Sequence, residues 1–208
     1  MKYIISIVLG YLLGSINGAM IVSKIKGCDI RNYGSGNAGT TNVLRVFGKK
    51  AAAFTLLVDL LKGVVAVLLV RLIWHNTTLD VLAGAAAVLG HNFPVFFKFK
   101  GGKGVLTSIA TFAVIQPLAT AISVICGIIV IAFTKFVSFG SLIGAVILPV
   151  ATAFLCKENK PVMIFATGIA LLIILRHHAN IERLLNGTEN KLGKKNVMNN
   201  KERNDYII

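Results

Sequence analysis

Residues 3–23 read YIISIVLGYLLGSINGAMIVS, twenty-one positions without a charge. A helix of that length covers the roughly 30 Å hydrocarbon core of a bilayer. The run leads towards GSGNAG at 34–39, which has the G-x-G-x-x-G spacing of a dinucleotide-binding turn. Such a turn follows a β-strand, and here a membrane helix comes first, so the nucleotide reading fails. Lys2 is the only basic residue before the run, the run is longer than the apolar core of a signal peptide, and Lys24 and Lys26 follow it. We therefore read a span and not a cleaved leader.

The rest of the 208-residue chain agrees, with 55% hydrophobic and 14% charged residues. Its mean hydropathy is +0.77. Seven apolar segments can be drawn, at 3–23, 51–74, 79–91, 105–116, 118–134, 142–156 and 161–176. The third and fourth are shorter than the roughly 17 residues a full crossing needs, which suggests thin spans or a re-entrant pair flanking an inward loop. The fold class expected is all-α: a polytopic integral membrane protein of about seven transmembrane helices, two of them short.

The net charge of +14 is not spread evenly. Seventeen of the 22 Lys and Arg fall in 24–50, 91–104, 135–141 and 176–208, alternating with apolar runs. By the positive-inside rule these stretches are cytoplasmic, which puts the N-terminus outside, the C-terminus in the cytoplasm, and Lys2, Arg71, Lys157 and Lys160 on the outer face. No long helix carries a basic stripe with interleaved aromatics, so nucleic acid is not an expected partner. Cys28, Cys126 and Cys156 have neither C-x-x-C spacing nor an even count, which supports no metal site and no disulfide framework. Lys62 lies inside a span three residues from Asp59, on the same helix face, as an intramembrane ion pair or a support for a nearby site. Residues 1–190 are expected to form one domain, and 191–208 a flexible basic tail.

Every unusual polar cluster falls on the same side. In DIRNYGSGNAGTTNVLR, 29–45, Gly34, Gly36 and Gly39 allow positive φ and an inward-facing nest of N–H groups. Ser35, Asn37, Thr41 and Asn42 add neutral donors, Arg45 adds a fork suited to phosphate, and a helix starting near Thr40 would aim its dipole at the same anion. In GHNFPVFFKFKGGKG, 90–104, Lys98, Lys100 and Lys103 alternate with Gly101, Gly102 and Gly104. A Walker A loop would need glycine where Phe97 stands, so this is no ATP site. Phe93, Phe96, Phe97 and Phe99 are expected as headgroup-level anchors. In RHHANIERLLNGTENK, 176–191, His177 and Asn180 are one helical turn apart and Arg183 a further turn on. The loop KFVSFGS, 135–141, adds Ser138 and Ser141. Together these predict a cationic, glycine-lined pocket at the membrane boundary, holding phosphate beside something apolar.

At these clusters the chain resembles the bacterial acyl-phosphate-dependent glycerol-3-phosphate acyltransferases, the PlsY family. Three motifs carry the resemblance in order over about residues 5–190: GSGNxGxTNxLR, GHxxPVFxxFKGGKG and RHxxNIxRLxxGxE. It implies seven membrane helices in a bacterial inner membrane, with the active site at the cytoplasmic face. It also implies acyl transfer from acyl phosphate to the sn-1 hydroxyl of glycerol 3-phosphate, giving lysophosphatidic acid and phosphate. By position, Ser35, Asn37, Thr41, Asn42 and Arg45 then contact phosphate and acyl phosphate. Gly101, Gly102, Lys103 and Gly104 form the glycerol 3-phosphate loop, His177 and Asn180 are polar groups of the active centre, and Glu189 is structural. The expected catalytic set is Ser35, Arg45, Lys103, His177 and Asn180. Gly34, Gly36, Asn37, Thr41, Asn42, Gly101, Gly102, Gly104 and Ser141 hold substrate. Neither a metal nor a cofactor is expected, nor a CoA ester or ATP.

Phosphate leaves an acyl phosphate readily, so the protein's task is positioning and charge stabilisation. The stretch HNTTLD, 75–80, matches the H-x-x-x-x-D pattern of acyl-CoA-dependent acyltransferases. The charge topology puts it on the outer side, away from every phosphate-type cluster, so it is read as a decoy. The rival function is a phosphate or organic-anion transporter, whose site would lie near the midplane on broken helices from paired repeats. No such repeat is visible.

Overall fold

The computed structural model describes residues 1–193. Ten α-helices are present among them: α1 Lys2–Gly14, α2 Gly18–Ile25, α3 Thr40–Phe47, α4 Lys49–Trp74 and α5 Thr77–Asn92 make up the first half. The second half contains α6 Val105–Ile115, α7 Pro117–Thr134, α8 Val137–Cys156, α9 Lys160–Arg176 and α10 His178–Leu185. The tail expected at 191–208 lies, from 194 onward, outside the described residues.

Five spans in the described residues are long and apolar enough to cross a membrane, and α9 with α10, bent by 59°, makes a sixth if the pair is one span. Helix α6, at 11 residues, is too short to count by length. The outer faces of α4, α7 and α9 carry exposed Leu, Ile and Phe, as a lipid-facing surface requires.

The first apolar run is not one helix. It breaks between Gly14 and Gly18, where Asn17 takes an extended conformation and its side chain accepts from the Met20 N–H at 3.0 Å. An N-cap asparagine starts a new helix by satisfying an orphan donor. Similar caps start α5, where Asn76 accepts from the Leu79 N–H, and α9, where Asn159 accepts from the Val162 N–H.

Small residues let the helices approach closely, the usual solution inside a bilayer. Helix α1 lies along α5, with Gly10 and Gly14 of α1 against the Ala83 and Ala87 backbone. The main core lies between α6, α8 and α9, where Phe112 and Phe165 pack with ring centroids 5.6 Å apart. A second core forms around Ala19, Met20, Ile30, Ala38 and Val43, with Phe97 packed against it. Phe97 is therefore turned inward, whereas Phe96 and Phe99 are exposed. The inner anchor was unreadable from the run of four aromatics, because only the local turn decides which ring faces in.

Candidate functional site

One cavity of about 350 Å³ opens where α3, the 98–104 loop, α8 and the bend between α9 and α10 converge. Its polar lining contains Ser35, Asn37, Thr41, Asn42 and Arg45 from the first cluster, and Lys103 and Gly104 from the second. Ser138, Ser141, His177, Asn180 and Glu189 also line it. Its apolar lining runs down α6, α7, α8 and α9 and includes Ile109, Phe112, Val124, Ile131, Leu148 and Ile169. Gly34, Gly36, Gly101 and Gly102 do not line it.

The 29–45 segment is braced from within. Asp29 accepts from the Arg31 N–H at 2.9 Å and receives the Arg31 guanidinium at 2.6 Å. The hydrogen bonds from Arg31 hold the Asp29 carboxyl below its ordinary value. The same guanidinium donates to the Phe97 and Lys100 carbonyls at 3.2 and 3.3 Å, tying the first loop to the second. Gly34 and Gly36 have φ of 60° and 69°, as the turn demands, but Gly39 is extended at −151°. The expectation of an open anion nest is corrected here. The Ser35 N–H donates to Asn42 Oδ1 at 2.9 Å, and the Gly36 and Gly39 N–H groups donate to Tyr33 and Asn37 carbonyls. Asn42 also donates to the Ile30 and Tyr33 carbonyls, so its amide is committed on both ends to holding the loop. What remains for an anion is the N-terminus of α3, the Ser35 and Thr hydroxyls, and Arg45.

The second loop needs the same correction. The Gly101 and Gly102 N–H groups donate back to the Asn92 and His91 carbonyls at the end of α5, at 3.1 and 3.2 Å. These glycines are there for close approach. A Cβ on Gly102 would stand 2.7 Å from the Ala38 carbonyl oxygen and overlap His91 Nε2. From α9, Arg176 donates to the Gly102 carbonyl at 3.0 Å. Held in this way, the loop delivers Lys103 to the cavity, where its ammonium donates to Asn180 Oδ1. Burial lowers Lys103 to about 8, with Glu189 pulling the other way and Arg183, Arg45 and Arg176 adding to the shift.

Glu189 organises the third cluster. Its Oε1 accepts from Asn180 Nδ2 at 2.9 Å and Ser138 Oγ at 3.1 Å, and its Oε2 accepts from Arg183 Nε at 2.8 Å. Burial alone would raise this carboxyl, but the bonds from Arg183 and Asn180 hold it below its ordinary value. Lys103, Asn180, Glu189 and Arg183 thus form a chain of alternating donors and acceptors. His177, buried at the cap between α9 and α10, uses Nδ1 on the Ile173 carbonyl at 2.8 Å, which leaves Nε2 for the cavity. Arg45 donates to the Asn190 carbonyl at 3.4 Å, and burial lowers its guanidinium from its ordinary value. Ser138 and Ser141 were expected on a loop; both lie in α8, and Ser141 Oγ bonds the Val137 carbonyl at 2.9 Å.

Several lining groups were not foreseen. Thr40 Oγ1 and Ser108 Oγ are buried with no protein partner among the described residues. His91 also reaches the lining, as does Asp59, whose spacing from Lys62 reads as an ion pair or a support for a nearby site. Neither Thr40 nor Ser108 stands in a pattern that a sequence reader would single out. In contrast, His75 is exposed at the end of α4. Asp80, its supposed partner, is buried and paired with Arg71 at 2.8 Å. No His75–Asp80 dyad is present.

Comparison with known proteins identifies the family and the fold. The family model described as glycerol-3-phosphate acyltransferase matches residues 4–187. A Thermoanaerobacter sp. (strain X514) protein named glycerol-3-phosphate acyltransferase is 47% identical over 196 residues, covering 94% of this chain and 98% of that protein. One of the same name from Clostridioides difficile (strain 630) is 47% identical over 200 residues, covering 93% and 97%. The crystal structure of PlsY, an integral membrane glycerol 3-phosphate acyltransferase, in its glycerol 3-phosphate form superposes with a TM-score of 0.87 at 36% identity, covering 93% of this chain and 96% of that one. The lysophosphatidic acid form gives 0.84 at 34% identity. The chain belongs to the glycerol-3-phosphate acyltransferase family.

Proposed function

We propose that this protein transfers a fatty acyl group from acyl phosphate to the sn-1 hydroxyl of glycerol 3-phosphate. The carrying observation is that two half-buried cations, Arg45 and Lys103, line the same cavity as a long apolar wall from α6 to α9. An amphipathic donor and a small anionic acceptor need that combination: the phosphates at the cations, the acyl chain along α6 to α9.

The hydroxyl oxygen attacks the acyl carbon, the new ester C–O bond forms, and the bond from acyl carbon to phosphate oxygen breaks. The proton moves to a substrate phosphate oxygen, so no acyl-enzyme and no strong general acid are needed. Arg45, Lys103, Ser35 and the first turn of α3 hold phosphate oxygens as charge builds on them. Thr41, Asn37, Gly104 and Ser141 shape the walls, and Gly34, Gly36, Gly101, Gly102 and Asn42 act through the loops they hold. Asn180 and His177 orient the acceptor, with Nε2 of His177 the available nitrogen. Juxtaposition of this kind contributes roughly 7–11 kcal/mol in favourable cases.

The same reading places the protein in a bacterial inner membrane, with the N-terminus outside and the C-terminus and active site at the cytoplasmic face. Seven crossings then include the short α6, and residues 1–190 form one catalytic domain. The distribution of Lys and Arg supports this orientation. The donor is the test: purified protein receives glycerol 3-phosphate with palmitoyl phosphate or with palmitoyl-CoA. The expected outcome is lysophosphatidic acid from palmitoyl phosphate alone. Product from the CoA ester would overturn the donor assignment.

A further inference from the structure

Asp59 and Lys62 of α4 and His91 of α5 form a polar cluster inside the bundle for which the reaction above has no task. Lys62 Nζ stands 2.9 Å from Asp59 Oδ1 and 2.7 Å from His91 Nδ1, and donates to the Ile16 carbonyl at 2.6 Å. Asp59 Oδ1 accepts from the Gly18 N–H at 3.4 Å. All three side chains are at most 5% exposed. Charges at such depth are expensive even when paired, and apolar residues would pack there more simply. The cluster therefore calls for a reason.

Its contacts supply one. Ile16 and Gly18 belong to the break between α1 and α2, where backbone groups lack helical partners. His91 Nδ1 faces Lys62 Nζ at 2.7 Å and Asp59 Oδ1 at 3.5 Å; opposite a charged ammonium, which has only donors, Nδ1 accepts and the ring proton sits on Nε2. That nitrogen is the atom a Cβ on Gly102 would overlap. The His91 carbonyl accepts from the Gly102 N–H at 3.2 Å, and Arg176 donates to the Gly102 carbonyl at 3.0 Å. Gly102 is thus held by its contacts with the His91 ring and backbone and with Arg176, and Lys103 is the next residue.

We propose that Asp59, Lys62 and His91 are positioning residues for Lys103. The ion pair fixes the tautomer and tilt of the His91 ring, and the ring sets the height at which the 98–104 loop presents the Lys103 ammonium. The proposal rests on the reading of Lys103 as a phosphate-holding group, and a displacement of about 1 Å at such a group can lower a rate by about 100-fold.

The test uses full-length protein in lipid nanodiscs: wild type, His91→Ala, His91→Gln, and Asp59→Asn with Lys62→Met, which avoids stranding one charge. Hydrogen exchange is read first. In His91→Ala and the double variant, the Gly101 and Gly102 amides are expected to exchange about tenfold faster or more, with α7 and α8 unchanged. His91→Gln keeps an acceptor for Lys62 and is expected to restore most of the protection. Kinetics are read second: His91→Ala lowers kcat more than it raises KM for the acyl phosphate, and causes no further loss when added to Lys103→Met. Exchange that accelerates uniformly, or does not change at the loop, overturns the proposal, as do additive losses. A wild type inactive with every donor would sink the functional reading, while the exchange pattern alone would still decide the positioning claim.

Discussion

The two glycine-rich loops, 34–39 and 101–104, look interchangeable in sequence and are built for different reasons. In the first, Gly34 and Gly36 adopt positive φ, and the turn is filled by the Asn42 side chain. In the second, Gly101 and Gly102 leave room for the end of α5, and their N–H groups return to it. In neither loop are the glycine amides at 36, 39, 101 and 102 free for an anion. Glycine spacing marked where backbone had to turn or approach, and the positive charge reaches the cavity through Arg45 and Lys103 on either side.

The largest expected effect tests that division. Arg45→Ala and Lys103→Met should each lower kcat/KM by roughly 10²–10³, the range for removing a charge-stabilising donor. A loss under tenfold would mean that backbone donors carry the anion after all. Gly102→Ala comes next, with a loss of about 100-fold, because its Cβ must displace the Ala38 carbonyl or the His91 ring and so moves Lys103.

A pH profile sharpens the contrast between the two cations. With Lys103 lowered to about 8 by burial, its ammonium is lost above that pH, so acyl transfer should fall on the alkaline side. Lys103→Arg should move that limb to higher pH, whereas a limb that stays in place would assign it elsewhere. The linkage sign is the reverse for stability. Between about 8 and the ordinary lysine value of 10.5, the unfolded chain binds more protons at this site, so its contribution to stability rises with pH.

Gly36→Ala should behave unlike Gly102→Ala. Its Cβ has only the Arg31 carbonyl at 3.3 Å, and the main penalty is left-handed backbone, about 1–2 kcal/mol. A lowered melting temperature with activity within about tenfold is expected; equal kinetic damage at both glycines would erase the distinction. Smallest of all, His75→Ala should leave acyl transfer unchanged, since its side chain is exposed and Asp80 belongs to Arg71.

Much of this was legible because apolar runs and cation clusters are coarse signals that local detail cannot reverse. Asp59 and Lys62 announced their pairing by spacing, but the third member, His91, lies 29 residues further on and joins only through the packing of α5 on α4. The break in the first span was hidden because Ser15, Ile16 and Asn17 carry no charge; Asn17 before Gly18 was the one capping signal. Ser138 and Ser141 were read as loop because the apolar run was drawn only from residue 142, yet α8 starts at Val137 and Ser141 bonds its own helix at the Val137 carbonyl. The nest failed for a related reason: no spacing of glycines tells whether their N–H groups already have partners.

The most direct test follows isotope-labelled glycerol 3-phosphate in proteoliposomes carrying the protein, with palmitoyl phosphate supplied. The account predicts label in lysophosphatidic acid within the bilayer, with phosphate released, and none of this in Arg45→Ala. Label trapped unmodified in the vesicle lumen would instead show a transporter, and would contradict the account.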